Sequence, residues 1–100
     1  MDLDLELVAN FLVLMREMHY GRAAARLYLT PAALTKRIQR LERQLGVALV
    51  ERGPSGVLAA TAAGRRFATA AEPLIAHAKA ARESALTEPP RYAPRVGIPA

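Results

Sequence analysis

Long polar side chains cluster within residues 35–43, and most of them are basic: Lys36, Arg37, Gln39, Arg40 and Arg43. Lysine and arginine bind phosphate oxygens, and lysine can also hydrogen-bond to a guanine edge. Residues 22–52 hold seven basic and two acidic side chains, whereas residues 1–21 hold one basic and four acidic. This distribution indicates a protein that contacts nucleic-acid phosphates. A basic face is often only a solvated surface, so the interpretation depends on the element that carries it.

That element is predicted to be a helix over residues 31–45. Thr30 can cap its N-terminus, Pro31 suits its first position, and Gly46 suits the left-handed residue that ends a helix. Apolar residues recur at helical spacing and predict one buried stripe, formed by Leu34, Ile38, Leu41 and Leu45. Lys36 and Arg43 fall opposite this stripe, with Ala32, Gln39 and Arg40 near them. The helix is therefore expected to be buried on one side and basic on the other.

Two helices are predicted before it. Residues 4–18 show apolar side chains three and four apart, with Phe11 as the largest anchor. Gly21 is expected at the start of a second helix over residues 22–28, where the small side chains of Ala23–Ala25 allow a close helix crossing. A short helix, a tight turn and a capped basic helix predict a helix-turn-helix, with the basic helix in the major groove of DNA.

A short β-hairpin is predicted after Gly46. Residues 47–52 are rich in β-formers, residues 53–56 are a dense turn signal, and residues 57–60 can return as a second strand. Such a hairpin is the wing of a winged helix-turn-helix, and Arg52 at its base is placed for a phosphate or the minor groove. A plain loop is the alternative, because alanine has a low β propensity.

The last predicted helix starts at Thr61 and covers residues 62–87, too long to pack along its whole length on so small a domain. Pro73 removes one backbone donor and is expected to bend the helix between Thr69 and Pro73. A protruding helix with an apolar seam fits a second copy of itself. The dimerisation residues predicted on this seam are Phe67, Ala71, Leu74, Ile75, Ala78 and Ala81.

Several classes of function are disfavoured. The chain has no cysteine, which excludes disulfides, thiolate metal sites and a cysteine nucleophile. We find no paired carboxylates, no nucleophile–base set and no lysine in the turn at residues 53–56, so we expect no enzyme, no cofactor and no metal. His77 lacks a ligand companion one helical turn away. No apolar run approaches 18 residues, and Asp2, Asp4 and Glu6 do not suit a signal peptide, so we expect a cytosolic protein.

From about Leu5 to Ser84 the chain resembles the DNA-binding region of LysR-type transcriptional regulators. The resemblance is carried jointly by Phe11, Tyr20–Leu27, Thr30–Val47, Glu51–Arg52 and Thr61–Gly64. It implies a mainly α fold, with a winged helix-turn-helix over residues 1–60, a linker and dimerisation helix over 61–88, and a hinge over 89–100. It also implies a bacterial regulator at the nucleoid that is usually tetrameric, with a small-molecule effector bound by a further C-terminal domain.

The resemblance also assigns contacts to individual positions. The base-contacting region falls on Pro31, Ala32, Thr35 and Lys36, with backbone contacts from Arg37 and Arg40 and a wing contact from Arg52. We include Thr30, Gln39 and Arg22 in the predicted DNA surface. The family commonly has Gln then Pro where this chain has Pro31 then Ala32, so an amide that could read adenine is missing there.

One rival interpretation comes from another class. The helices and the seam could serve protein assembly, with the basic face binding RNA or an acidic partner non-specifically. Sequence preference distinguishes the two, because only a DNA reader prefers one duplex over random competitors.

Overall fold

The computed structural model describes residues 3–53 and 58–87. In chain order the elements are α1 (Leu5–Glu17), α2 (Tyr20–Arg26), α3 (Pro31–Leu45), β1 (Val50–Arg52), β2 (Leu58–Ala60) and α4 (Ala62–Leu86). This order confirms the predicted fold class, a winged helix-turn-helix followed by a long helix. Most of the predicted turn at residues 53–56, the first residue of the second strand and the hinge over 89–100 lie outside the described residues.

Helix α1 matches its prediction to within one residue at each end. The Asp4 carboxylate accepts from the backbone N–H of Glu6 at 2.9 Å, which caps the N-terminus. At the other end Met18 adopts a left-handed conformation with φ 49°, and its N–H donates to the Leu14 carbonyl at 2.7 Å. The turn to α2 therefore follows directly from the end of α1.

Helix α2 corrects two predictions. It begins at Tyr20, with His19 as its cap: the imidazole Nδ1 accepts from the backbone N–H of Arg22 at 3.0 Å. Gly21, expected to stand just before a helix over residues 22–28, is instead the second residue of the helix. The helix also ends at Arg26, two residues earlier than predicted, because the chain turns out of the helix at Leu27.

Helix α3 has the predicted bounds. The Thr30 hydroxyl accepts from the backbone N–H of Ala33 at 3.0 Å, and Pro31 occupies the first helical position. Gly46 ends the helix with φ 75°, and its N–H donates to the Glu42 carbonyl at 2.7 Å. Both ends are therefore set by local chemistry that the sequence displays.

The core lies where α1, α2 and α3 meet. Leu34, Ile38 and Leu41 of α3 are fully buried, whereas Leu45 is partly buried at the edge of the core. On α2 the fully buried side chains are small: Ala23 and Ala24 have no exposed surface. The other fully buried large side chains come from α1 and from the segment before β1: Val8, Phe11, Leu12, Leu14 and Leu49.

The two strands form the predicted wing, so the loop alternative is wrong. They pair antiparallel, with Val50 opposite Ala60 and Arg52 opposite Leu58. The first strand starts later than predicted, because the backbone N–H of Val47 still bonds to the end of α3, at the Glu42 carbonyl. Residues 47–49 thus connect the helix to the strand.

Helix α4 runs unbroken through Pro73. Thr61 caps it by accepting from the backbone N–H of Gly64 at 2.9 Å, and a Cβ at Gly64 would overlap the Leu49 carbonyl. The Phe67 ring packs on the Phe11 ring of α1, with centroids 5.8 Å apart. The first half of α4 is thus part of the domain, while its second half is largely exposed, as predicted from its length.

Candidate nucleic-acid interface

The outward face of α3 is the most basic surface of the helix-turn-helix. Lys36, Gln39, Arg40 and Arg43 are all exposed, and with Arg37 they line one shallow depression. Among the described residues no ion pair involves Lys36, Arg40 or Arg43. Their charges are therefore available for an external anion.

The flank of α3 that faces α1 is held by Arg37. Its Nη1 donates to the Glu6 carboxylate at 3.1 Å and to the Asn10 Oδ1 at 3.0 Å. Asn10 is only 6% exposed, so its amide oxygen needs this partner, whereas the contact with exposed Glu6 contributes little to stability. Arg37 thus fastens α3 to α1, and a backbone contact with DNA would have to share its guanidinium.

The opposite flank of α3 is held to the wing by Glu42. Its Oε2 accepts from the backbone N–H of Leu49 at 2.7 Å and from that of Val50 at 3.3 Å. Charge-assisted bonds of this kind are stronger than neutral ones. A side chain of α3 therefore fixes the point at which β1 begins. No pattern in the sequence singled out Glu42 for this position.

Arg52 makes a second link between the wing and the helices. Its Nη2 donates to the Thr35 hydroxyl of α3 at 2.8 Å, and its Cζ lies 4.2 Å from the ring centre of Tyr20 of α2. Burial raises the pKa of the Tyr20 phenol, and the nearby Arg52 guanidinium acts in the opposite direction. Tyr20 was not among the predicted site residues. Arg52 therefore positions the wing against both helices of the helix-turn-helix.

The Arg52 contact also fixes how Thr35 can bond. Because the Thr35 oxygen already accepts from Arg52, its hydroxyl hydrogen is free to donate outward. Thr35 is half-buried on the flank of α3, beside the exposed Lys36. The structure thus brings together three of the predicted contact residues, Thr35, Lys36 and Arg52.

The start of α3 presents little hydrogen-bonding capacity. Thr30, Pro31 and Ala32 are exposed there, as predicted, but the Thr30 hydroxyl oxygen already caps the helix. The side chains of Pro31 and Ala32 have no polar atoms. This end of the helix can offer shape, apolar contact and the Thr30 hydroxyl hydrogen to a ligand, but no side-chain amide.

Arg22 is engaged within the protein. The Arg22 Nε lies 3.4 Å from the half-buried Glu17 carboxylate, and the Arg22 Nη2 donates to the Glu17 carbonyl. The same carboxylate also pairs with Arg26 at 3.0 Å. Glu17 therefore joins the end of α1 to both ends of α2. A DNA contact from Arg22 would start from this paired arrangement.

The predicted dimerisation residues separate into two groups. Phe67, Ala71 and Ile75 pack against the domain's own core, and Ala71 is only 1% exposed. Leu74 is 40% exposed; Ala78 is half-buried, and Ala81 is exposed. A partner helix would therefore contact mainly Leu74, Ala78 and Ala81. Phe67 and Ile75 are only partly accessible to it.

A metal-binding cluster and a membrane-spanning helix are both absent from the described parts of the chain. Residues 3–53 and 58–87 contain no cluster of three or more acidic or histidine side chains that could hold a metal ion. None of the helices in these ranges combines the length and the apolar character needed to cross a membrane.

The Arg52–Thr35 contact predicts energetic coupling between the wing and α3. Unfolding free energies from urea titration of Arg52→Ala, Thr35→Val and the double variant should show a coupling of about 0.5–1.5 kcal/mol, the net contribution of one hydrogen bond. As a control, Thr69→Val removes a hydroxyl that donates to the Arg65 carbonyl instead, and it should be additive with Arg52→Ala. Additivity of Arg52→Ala with Thr35→Val as well would contradict the link.

Comparison with known proteins places this geometry in a family. The model of bacterial regulatory helix-turn-helix proteins of the lysR family matches residues 5–65. The HTH-type transcriptional regulator HdfR of Escherichia coli O139:H28 is 44% identical over 81 residues, which cover 81% of this chain and 29% of HdfR. The chain thus spans less than a third of the length of this relative.

Solved structures agree with the sequence match. A full-length OxyR variant from Pseudomonas aeruginosa is 29% identical, with a TM-score of 0.80 over 86% of this chain and 29% of its own. DarR from Vibrio fischeri, solved in complex with DNA, is also 29% identical, with a TM-score of 0.76 over 87% of this chain and 30% of its own. From the capped basic helix, the wing and these matches, we conclude that the chain belongs to the LysR family of bacterial regulatory helix-turn-helix proteins.

Proposed function

We propose that this chain binds double-stranded DNA sequence-specifically, as the DNA-binding domain of a LysR-type transcription regulator. The observation that carries the proposal is the exposed face of α3, where Lys36, Arg40 and Arg43 form no ion pair with any residue that the structure describes. A helix of this kind, packed on a helix-turn-helix partner, fits the major groove. The solved complex of DarR with DNA supports DNA as the ligand.

In the proposed complex the side chains of α3 divide the work. Lys36 and Thr35 contact base edges, because Lys36 can donate to guanine O6 and N7 and the Thr35 hydroxyl is left as a donor. Arg40 binds phosphate. Pro31 and Ala32 lie at the groove entrance without amide chemistry, so part of the specificity comes from DNA shape. The wing lies at the backbone or the minor groove, held there by Arg52.

The rival proposal is a helical interaction module that binds nucleic acid non-specifically. Its support is the long exposed half of α4 and the general basicity of the chain. We favour the specific DNA reader because the free basic side chains lie on the second helix of a helix-turn-helix.

The functional division of α3 is testable with two charge deletions. Lys36→Ala should cost about 1–3 kcal/mol of binding free energy and relax specificity at one base pair, because a base contact is lost. Arg40→Ala should weaken all sequences alike and lower the salt slope of binding by about one, because only a phosphate contact is lost. Fluorescence anisotropy with cognate and random duplexes at several salt concentrations measures both.

Lys79→Ala is the matched control, since it removes one positive charge from the exposed half of α4. It should change neither the affinity nor the specificity by more than the long-range charge effect. If Lys36→Ala behaves like this control on both duplexes, the proposed docking of α3 is wrong.

We further propose that the chain forms a homodimer through α4. Apolar side chains remain exposed on the half of α4 beyond the domain, with Leu74 at 40% and Leu86 at 66% exposure. Small residues such as Ala78 and Ala81 near Leu74 allow two helices to approach closely. Residues 61–88 would then serve both as linker and as dimerisation helix, with the first half of α4 also packed on the DNA-binding segment of residues 1–60.

A single charge on this seam should dissociate the dimer. Analytical ultracentrifugation of the native chain should show a species near twice the 10.8 kDa monomer, and Leu74→Glu should shift it to the monomer, because a carboxylate would be buried without a partner. Ala76→Glu introduces the same charge on the opposite, exposed side of α4 and should leave the dimer intact. A dimer that survives Leu74→Glu unchanged would mean that the interface lies elsewhere.

The wider proposal concerns the complete regulator. We propose a non-enzymatic protein of the bacterial cytoplasm that acts at the nucleoid. The full-length protein would assemble as a tetramer and bind its small-molecule effector through a C-terminal domain. This part rests on family membership, since the chain covers 29% of the length of its relative HdfR.

A further inference from the structure

The turn between α2 and α3 contains a tyrosine in a conformation that favours glycine. The N–H of Leu29 donates to the Ala24 carbonyl at 2.8 Å, and the N–H of Tyr28 donates to the Ala25 carbonyl at 3.2 Å. This pair of bonds is a Schellman motif, which places Tyr28 in the left-handed region with φ 58°. Glycine usually occupies this position, because a Cβ crowds the following carbonyl there.

The tyrosine gains almost no burial from residues 3–53 and 58–87. Its side chain is 95% exposed, so the ring adds no packing to the core. The next residue, Leu29, supplies the apolar contact that accompanies this motif, since it packs against the core. Within the described part of the chain, packing of the Tyr28 ring therefore does not offset the strain at this residue. Strained residues of this kind cluster at functional sites.

The place of Tyr28 in the chain indicates what it contacts. It lies two residues before Thr30, the cap of α3, on the turn that leads into the proposed recognition helix. Pro31 and Ala32 beyond it carry no polar side-chain atom, so the Tyr28 phenol adds a second hydrogen-bond donor at this edge, beside the Thr30 hydroxyl. The positive end of the α3 dipole also favours an anion nearby.

We infer that Tyr28 is a DNA-backbone contact, whose phenol O–H donates to a phosphate oxygen at the edge of the major groove beside the N-terminus of α3. This inference rests on the proposed function and deepens it. Tyrosine hydroxyls are among the groups that bind phosphate in protein–DNA complexes, and such contacts fix orientation without reading sequence. The residue thus takes a conformation unfavourable to the free protein in exchange for a contact made only with DNA.

Two variants of the 100-residue chain test this. Tyr28→Phe removes only the phenol oxygen. It should leave the melting temperature unchanged and weaken cognate and random duplexes by the same factor, about tenfold. Tyr28→Gly should raise the melting temperature by about 4 °C, because the strain is relieved, and weaken binding at least as much. Thermal melting and fluorescence anisotropy give the two readouts.

The same measurements separate a failure of the Tyr28 contact from a failure of the proposed DNA binding. If the native chain binds its cognate duplex specifically and Tyr28→Phe binds equally well, the inference fails while the function stands. A loss confined to the cognate duplex would make Tyr28 a base contact and would also overturn it. A lower melting temperature for Tyr28→Gly would show that the tyrosine supports the fold. If the native chain prefers no duplex, the proposed function itself fails.

Discussion

Burial of Leu34, Ile38 and Leu41 of α3 is the constraint on which the rest of the structure depends. Residues of a helix have fixed angular positions around its axis, so burying this stripe decides which residues face outward. Polar contacts then fix both flanks, with Arg37 bound to α1 and Glu42 bound to the start of β1. Only one side of α3 is left for a ligand, and that side carries the basic side chains.

The wing is joined to α3 by side chains of α3 itself. Glu42 holds the backbone where β1 begins, and Arg52 returns from β1 to Thr35. A displacement of the wing would break bonds on the helix, so helix and wing meet a ligand in a fixed relation. Thr35 can serve both the fold and a ligand, because its hydroxyl oxygen accepts from Arg52 while its hydrogen remains available to a base.

Helix ends that depend on neighbouring residues could be predicted from the sequence. Contacts between side chains far apart in the chain could not. Both bounds of α3 were predicted correctly because the Thr30 cap, Pro31 at the first position and the closing Gly46 all stand at the ends of the helix. The start of α2 was missed because histidine is an uncommon cap. The internal partners of Arg37 and Arg52 lie 27 and 17 residues away, and only the folded chain brings them together. The helical spacing of the α4 seam predicts a single dimerisation surface, but Ala71 lies in the core of the domain and Phe67 packs against it.

We propose that a symmetric dimer of this chain reads DNA sequence with the outward face of α3. Selection of binding sites from a pool of random duplexes, followed by sequencing, tests it most directly. We expect enrichment of an inverted repeat whose half-sites lie about one helical turn of DNA apart, or a multiple of it. A pool that the protein retains but does not enrich in any sequence would contradict the claim, since the basic face would then bind phosphates alone.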